Sequence, residues 1–135
     1  MKALFHSEYV RRLLLNEDIL GLHLLFIALG YDRQLSDSCL LFSSVLSWIS
    51  ARRSGVWTYY EATSPDKQQD LLKKLTQHAT LNFLAERYQY GMENWHTENA
   101  LNDLEHWLDK NEKRIHQILV EILKDDEEAL VRLAS

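Results

Sequence analysis

The strongest constraint on this chain is an apolar stripe near its end: Leu101, Leu104, Leu108, Ile115, Ile118 and Ile122 follow one another in steps of three and four, with Asn111 in the one missing place. That period puts the residues on one face of an α-helix, whereas a strand face repeats every second residue. The segment begins at Thr97 and has two solutions. It is either one long amphipathic helix or an antiparallel pair in which Asn111 caps the second member. The charges of "DKNEKR" at the centre favour the break.

The helical period recurs upstream, and no run of strict alternation does. Four glycines and one proline in 135 residues are too few for a turn-rich β fold. Residues 1–135 are therefore expected to form an all-α single domain, a bundle of five to seven helices. Ser7 is expected to cap "EYVRRLLL". Asp18 caps "ILGLHLLFIAL", which Gly30 closes in a left-handed conformation. This second run is apolar all round and is expected to be the most buried element, with His23 as a hydrogen-bonded core residue. Ser36 or Asp37 starts a third helix carrying Leu41, Val45, Trp48 and Ile49, with Arg52 and Arg53 in its last turn and Gly55 at its end. Ser64, Pro65 and Asp66 mark the start of "SPDKQQDLLKKL", which bends or breaks near "TQHAT" before "LNFLAERYQYG" ends at Gly91. Asp125 and Glu128 form a capping box before "EALVRLA".

Chemistry is harder to find. HExxH, CxxC, P-loop, GxGxxG and GxSxG motifs are absent. The lone Cys39 lies in apolar "SDSCLLF" and reads as a buried structural thiol. Ser36, Ser38, Ser43, Ser44, Ser47 and Ser50 fall in a helix or its cap, without a glycine-flanked nucleophile turn. Glu105, His106, Glu112 and His116 share helical spacing, but they read as surface charges rather than as converging metal ligands. The expectation is a non-enzymatic protein without metal or cofactor; an enzyme with an unrecognised site is the alternative from another class.

Charge is uneven. Residues 1–92 hold 10 Lys+Arg against 9 Asp+Glu, and residues 93–135 hold 5 against 11. An acidic face of this kind disfavours direct nucleic-acid binding and suits a basic protein partner such as a toxin or a DNA-binding protein. Arg11, Arg12, Arg52 and Arg53 beside Trp57 and Tyr60 do not outweigh it. Asp103, Glu105, Asp109 and Glu112 lie off the apolar stripe and are the candidate acidic contacts. The N-terminus lacks the pattern of a signal peptide, and the most apolar run is well short of the roughly 20 residues of a membrane span. A cytoplasmic protein without a membrane partner is expected.

The leading functional feature is "RRSGVWTYYEATSPDK". Trp57, Tyr59 and Tyr60 crowd a junction between helices, and Trp, Tyr and Arg are enriched at binding hot spots. Folded inward, the rings would staple two helices; left outside, they would anchor a partner.

The stretch "SVLSWISARRSGVWTYYEATSPDKQQDLLKKLTQHATLNFLAERYQYGM" resembles in layout a bacterial helical family of mostly unknown function that includes a DNA-mimic protein. The shared order is a helix, a glycine-marked aromatic turn of the "GGF…YF" type, a capped helix and a second helix. Gly55, Trp57, Tyr59 and Tyr60 match the turn, and Leu72, Leu75, Ala79, Leu84 and Ala85 match the apolar positions that follow. "LNDLEHWLDKNEKRIHQIL" is similar to the family's acidic C-terminal helices. This chain has one glycine where the family shows two. The resemblance implies a protein that occupies the DNA site of a regulator. Among small acidic helical proteins the expected role is a bacterial immunity protein, an antitoxin-like inhibitor.

Overall fold

A computed structural model describes residues 7–30, 34–97 and 99–134. They form eight α-helices, and no strand is present among the described residues. The helices are α1 (Ser7–Leu15), α2 (Ile19–Leu29), α3 (Asp37–Ser50), α4 (Trp57–Ala62), α5 (Pro65–Gln77), α6 (Ala85–Asn94), α7 (Asn102–Asp125) and α8 (Glu127–Ala134). Short 3-10 turns at Ala51–Arg53 and Asn82–Leu84 precede α4 and α6. The fold class is all-α as expected. The count exceeds the expected range by one because the aromatic junction is itself helical, as α4.

Contacts gather into two units, divided within α3 and within α7. The first holds α1, α2, the start of α3, the end of α7, and α8. Its interior is built from Val10, Leu14, Leu22, Phe26, Phe42, Leu119 and Leu130, all nearly free of solvent. Phe26 and Phe42 meet edge to face at 5.3 Å. Cys39 is fully buried as expected, receives the Ser36 hydroxyl, and has its thiol pKa pushed up by burial. Arg11 reaches Glu127 and Glu128 on α8.

Local expectations fare unevenly here. Asp18 caps α2 through Oδ1, which accepts the Gly21 N–H at 2.9 Å. Ser7 is itself helical within α1 rather than its cap. Gly30 is right-handed, at φ −67°, not left-handed. α2 is not the most buried element: Leu20, Leu24 and Ile27 are 67, 56 and 47% exposed. An all-round apolar helix is buried only where neighbours cover every side, and here the Leu22–Leu25–Phe26–Leu29 side alone is covered. His23 is half-buried, and its Nδ1 has no hydrogen-bond partner among the described residues.

The second unit runs from Ser44 to Arg114. Trp48, Ile49, Val56, Tyr60, Leu75, Leu84, Tyr88, Leu104 and Leu108 form its interior. Ser64 caps α5 by accepting the Lys67 N–H, with Pro65 in the first turn. The chain breaks after Gln77 as expected, and His78 Nδ1 accepts the backbone N–H groups of Thr80 and Leu81 there. Gly91 does not end α6 but lies buried inside it; a Cβ at that position would overlap the Tyr60 hydroxyl and ring.

α7 is continuous over 24 residues, so the expected break at Asn111 is absent. The Asn111 carboxamide donates to the Trp107 carbonyl at 2.8 Å, one turn back, instead of capping a new helix. The central charges are also taken up. Arg114 lies 4.2 Å from the centroid of the Phe83 ring, and Arg52 pairs with Asp109 and Glu112. Toward its end the buried face of α7 turns to Leu119, Val120 and Leu123, leaving Ile118 and Ile122 half-buried.

Candidate functional site

The aromatic junction divides its three rings between two tasks. Gly55 adopts φ +101°, a conformation that side chains strongly disfavour. It reverses the chain between the 3-10 turn and α4, and its carbonyl accepts both the backbone N–H and the hydroxyl of Thr58. The next residue, Val56, donates its N–H to Glu105 Oε2 of α7 at 2.7 Å. Glu105 thus satisfies an amide at the start of α4 that the short helix cannot pair internally.

Tyr60 turns inward and is buried. Its hydroxyl receives Trp48 Nε1–H at 2.9 Å and donates to the Tyr88 carbonyl at 3.0 Å. Gln68 donates from Nε2 to the carbonyls of Tyr60 and Thr63, closing the end of α4. Tyr59 is half-buried, and its hydroxyl shares a 2.6 Å hydrogen bond with that of Tyr88. Burial raises the pKa of all three phenols, Tyr59, Tyr60 and Tyr88. Two of the three junction aromatics therefore staple helices.

Trp57 does not join them. It is 46% exposed, and its indole folds back over Gly55 so closely that a Cβ there would lie 2.6 Å from Nε1. Gly55 is needed twice, for its φ and for this approach. Trp57 forms one wall of a cleft of about 440 Å³, lined also by Gly55, Trp95, His96, Thr97, Asn99, Leu101, Asn102 and Glu105. The opposite wall is the α6–α7 connection. Tyr90 of α6 holds it by donating to the Ala100 carbonyl, and Asn94 donates back to the Tyr90 carbonyl within α6. Asn99 takes φ +63°, which asparagine tolerates better than most residues.

Of the expected acidic contacts, the structure brings only Glu105 beside Trp57. Asp109 pairs with Arg52 Nε at 3.0 Å, and Glu112 pairs with the same guanidinium. Asp103 is exposed and does not line the cleft. Arg52, expected to serve the dipole of its own helix, instead crosses to α7. Glu105, His106, Glu112 and His116 do not converge: no group of three such ligands that could hold a metal ion occurs among the described residues. Trp95, His96, Asn99 and Asn102 escaped sequence reasoning. Their signal was "NWHTENALND", a polar, aromatic run between two helical patterns.

No described helix is long and apolar enough to cross a membrane. Comparison of the chain with protein-family models, curated proteins and solved structures gives no match.

Proposed function

We propose that this chain is a non-enzymatic protein-binding module of the inhibitor type, an antitoxin-like immunity protein that neutralises a basic protein partner and uses the Trp57 cleft as its contact. One observation carries the reading: a large aromatic ring is kept half outside while Tyr60 is buried and Tyr59 is tied to Tyr88 by its hydroxyl. Burying Trp57 would be favourable for the isolated chain. Gly55 and the Glu105–Val56 hydrogen bond fix the turn that holds it out. A rigid, pre-placed aromatic beside a polar cleft is the form that binding hot spots take. The net charge of −5 supports a basic partner.

The DNA-mimic reading draws less support. It needs rows of free carboxylates, and Glu105, Asp109 and Glu112 on α7 are held by Val56 and Arg52.

The experiment is co-expression with the product of the adjacent reading frame. If that product is toxic, the wild-type chain should restore growth and Trp57→Ala should not, at equal soluble level. Rescue by neither or by both removes the proposal.

A further inference from the structure

We infer that the cleft takes an arginine side chain, the guanidinium stacking on the indole of Trp57 and pairing with Glu105. The inference deepens the proposed function, and rests on it for the claim that the arginine belongs to a protein partner.

Elsewhere the chain covers its aromatic surface with its own arginines. Arg87 lies 5.0 Å from the centroid of the Trp107 ring, and Arg114 lies 4.2 Å from that of Phe83. These rings already hold the chain's own guanidinium groups, an arrangement that favours the cation electrostatically. Among the described residues, no cation lies over Trp57 or Trp95. Among the described residues, the lining of the cleft they share contains no lysine or arginine. The carboxylate of Glu105, which lines it, has no ion-pair partner among the described residues, and its Oε2 accepts the Val56 N–H. Of the two arginines just before Gly55, Arg52 is committed one and two turns further along α7, to Asp109 and Glu112, and Arg53 is exposed and does not line the cleft. A carboxylate and two indole rings therefore share a cleft whose described lining holds no lysine or arginine; the basic group there is the His96 imidazole, which meets the Trp95 ring edge to face at 5.4 Å.

Guanidinium fits this lining better than ammonium does. It is planar, so it stacks on an indole while its edge donates in plane. The acceptors on offer are several: Glu105, the carboxamide oxygens of Asn99 and Asn102, and the Thr97 hydroxyl. Five N–H donors can use such a set, whereas a lysine head has three and is more strongly hydrated. An anionic or purely apolar ligand would meet the Glu105 charge without compensation.

The test uses N-acetyl-arginine amide as probe, with the uncharged citrulline analogue and the lysine analogue as controls. Each is titrated to about 50 mM while the four indole N–H signals are followed by NMR. The result expected is saturable movement of the Trp57 and Trp95 signals with a Kd on the order of 1–10 mM for arginine, and at least tenfold weaker binding of citrulline and of lysine. Glu105→Gln keeps a side-chain carbonyl for the Val56 N–H and removes only the charge; it should weaken arginine binding about tenfold. Trp57→Ala, followed on the Trp95 signal, should do the same and serves if Glu105→Gln fails to fold. No saturable shift, equal binding of citrulline or lysine, or a Glu105→Gln protein that folds and binds arginine as well as wild type would each overturn the inference. The two levels separate cleanly. Partner binding that needs Trp57 but ignores Glu105→Gln removes the arginine and keeps the protein contact. Arginine binding combined with partner binding that ignores Trp57→Ala does the reverse.

Discussion

Gly91→Ala puts the aromatic staple under its sharpest test, because two rules give opposite signs. Alanine is the better helix former by about 1 kcal/mol, and Gly91 lies inside α6. On propensity alone the variant gains stability. The packing argues the other way. A Cβ at 91 would overlap Oη, Cζ and Cε2 of Tyr60, and Tyr60 is 2% exposed, with its hydroxyl fixed between Trp48 and Tyr88. It cannot swing into solvent as a flexible chain end would. Overpacking of this sort costs about 1–3 kcal/mol. Displacing the hydroxyl also leaves the buried Trp48 N–H unpaired, at about 1–3 kcal/mol more. Less the propensity gain, the net loss is about 1–5 kcal/mol. With a urea m-value of about 2 kcal/mol/M, the midpoint should fall by about 0.5–2.5 M. Tyr60→Phe in the same background removes only one of the three overlapping atoms, so the double variant should stay well below Tyr60→Phe alone. A Gly91→Ala midpoint at or above that of the wild type would refute the reasoning and return Gly91 to an ordinary helix position.

Leu24→Asp should change stability by no more than about 1 kcal/mol in a thermal melt, because Leu24 is 56% exposed and surface changes are mild; a loss of several kcal/mol would mean that the outer face of α2 is packed. Stability should fall in alkali. Unfolded tyrosines ionise near pH 10, while burial keeps Tyr59, Tyr60 and Tyr88 protonated in the native state. Above that pH the native protein holds more protons, so stability drops by up to about 1.4 kcal/mol per pH unit for each tyrosine, and below it their contribution is constant. Tyrosinate absorbance should rise together with loss of helical circular dichroism; full ionisation with the helices intact would contradict the buried cluster. Arg52→Met should cost about 1–2 kcal/mol by urea denaturation, since the pairs with Asp109 and Glu112 are partly exposed but the guanidinium is mostly covered; no loss would make the pairing incidental.

Sequence carried the fold class and many of the helix boundaries, because these depend on local signals. Asp18, Ser64 and Pro65 act through groups three residues away or fewer. What depended on distant neighbours was not legible. The exposed side of α2 is invisible in "ILGLHLLFIAL", where every position is equally apolar. The continuity of α7 through "DKNEKR" depends partly on Arg52 and on the ring of Phe83, which lie far upstream. Gly91 looked like a helix stop because nothing in its sequence shows Tyr60 pressing on it. The site was half legible. Trp57 and Glu105 were expected for separate reasons, one as an anchor and one as a surface charge. Their meeting follows from the single hydrogen bond at Val56. The other wall, Trp95 to Asn102, carries no periodicity and no motif.

The central claim is that Trp57 is held out as a partner anchor. It is tested most directly by the dissociation rate of the complex, measured by surface plasmon resonance against the basic partner. Trp57→Ala should dissociate at least about tenfold faster, equivalent to about 1.4 kcal/mol, with its melting temperature nearly unchanged. Tyr59→Phe, which alters only the staple, should leave the rate as it is. An unchanged dissociation rate for a folded Trp57→Ala protein would contradict the account.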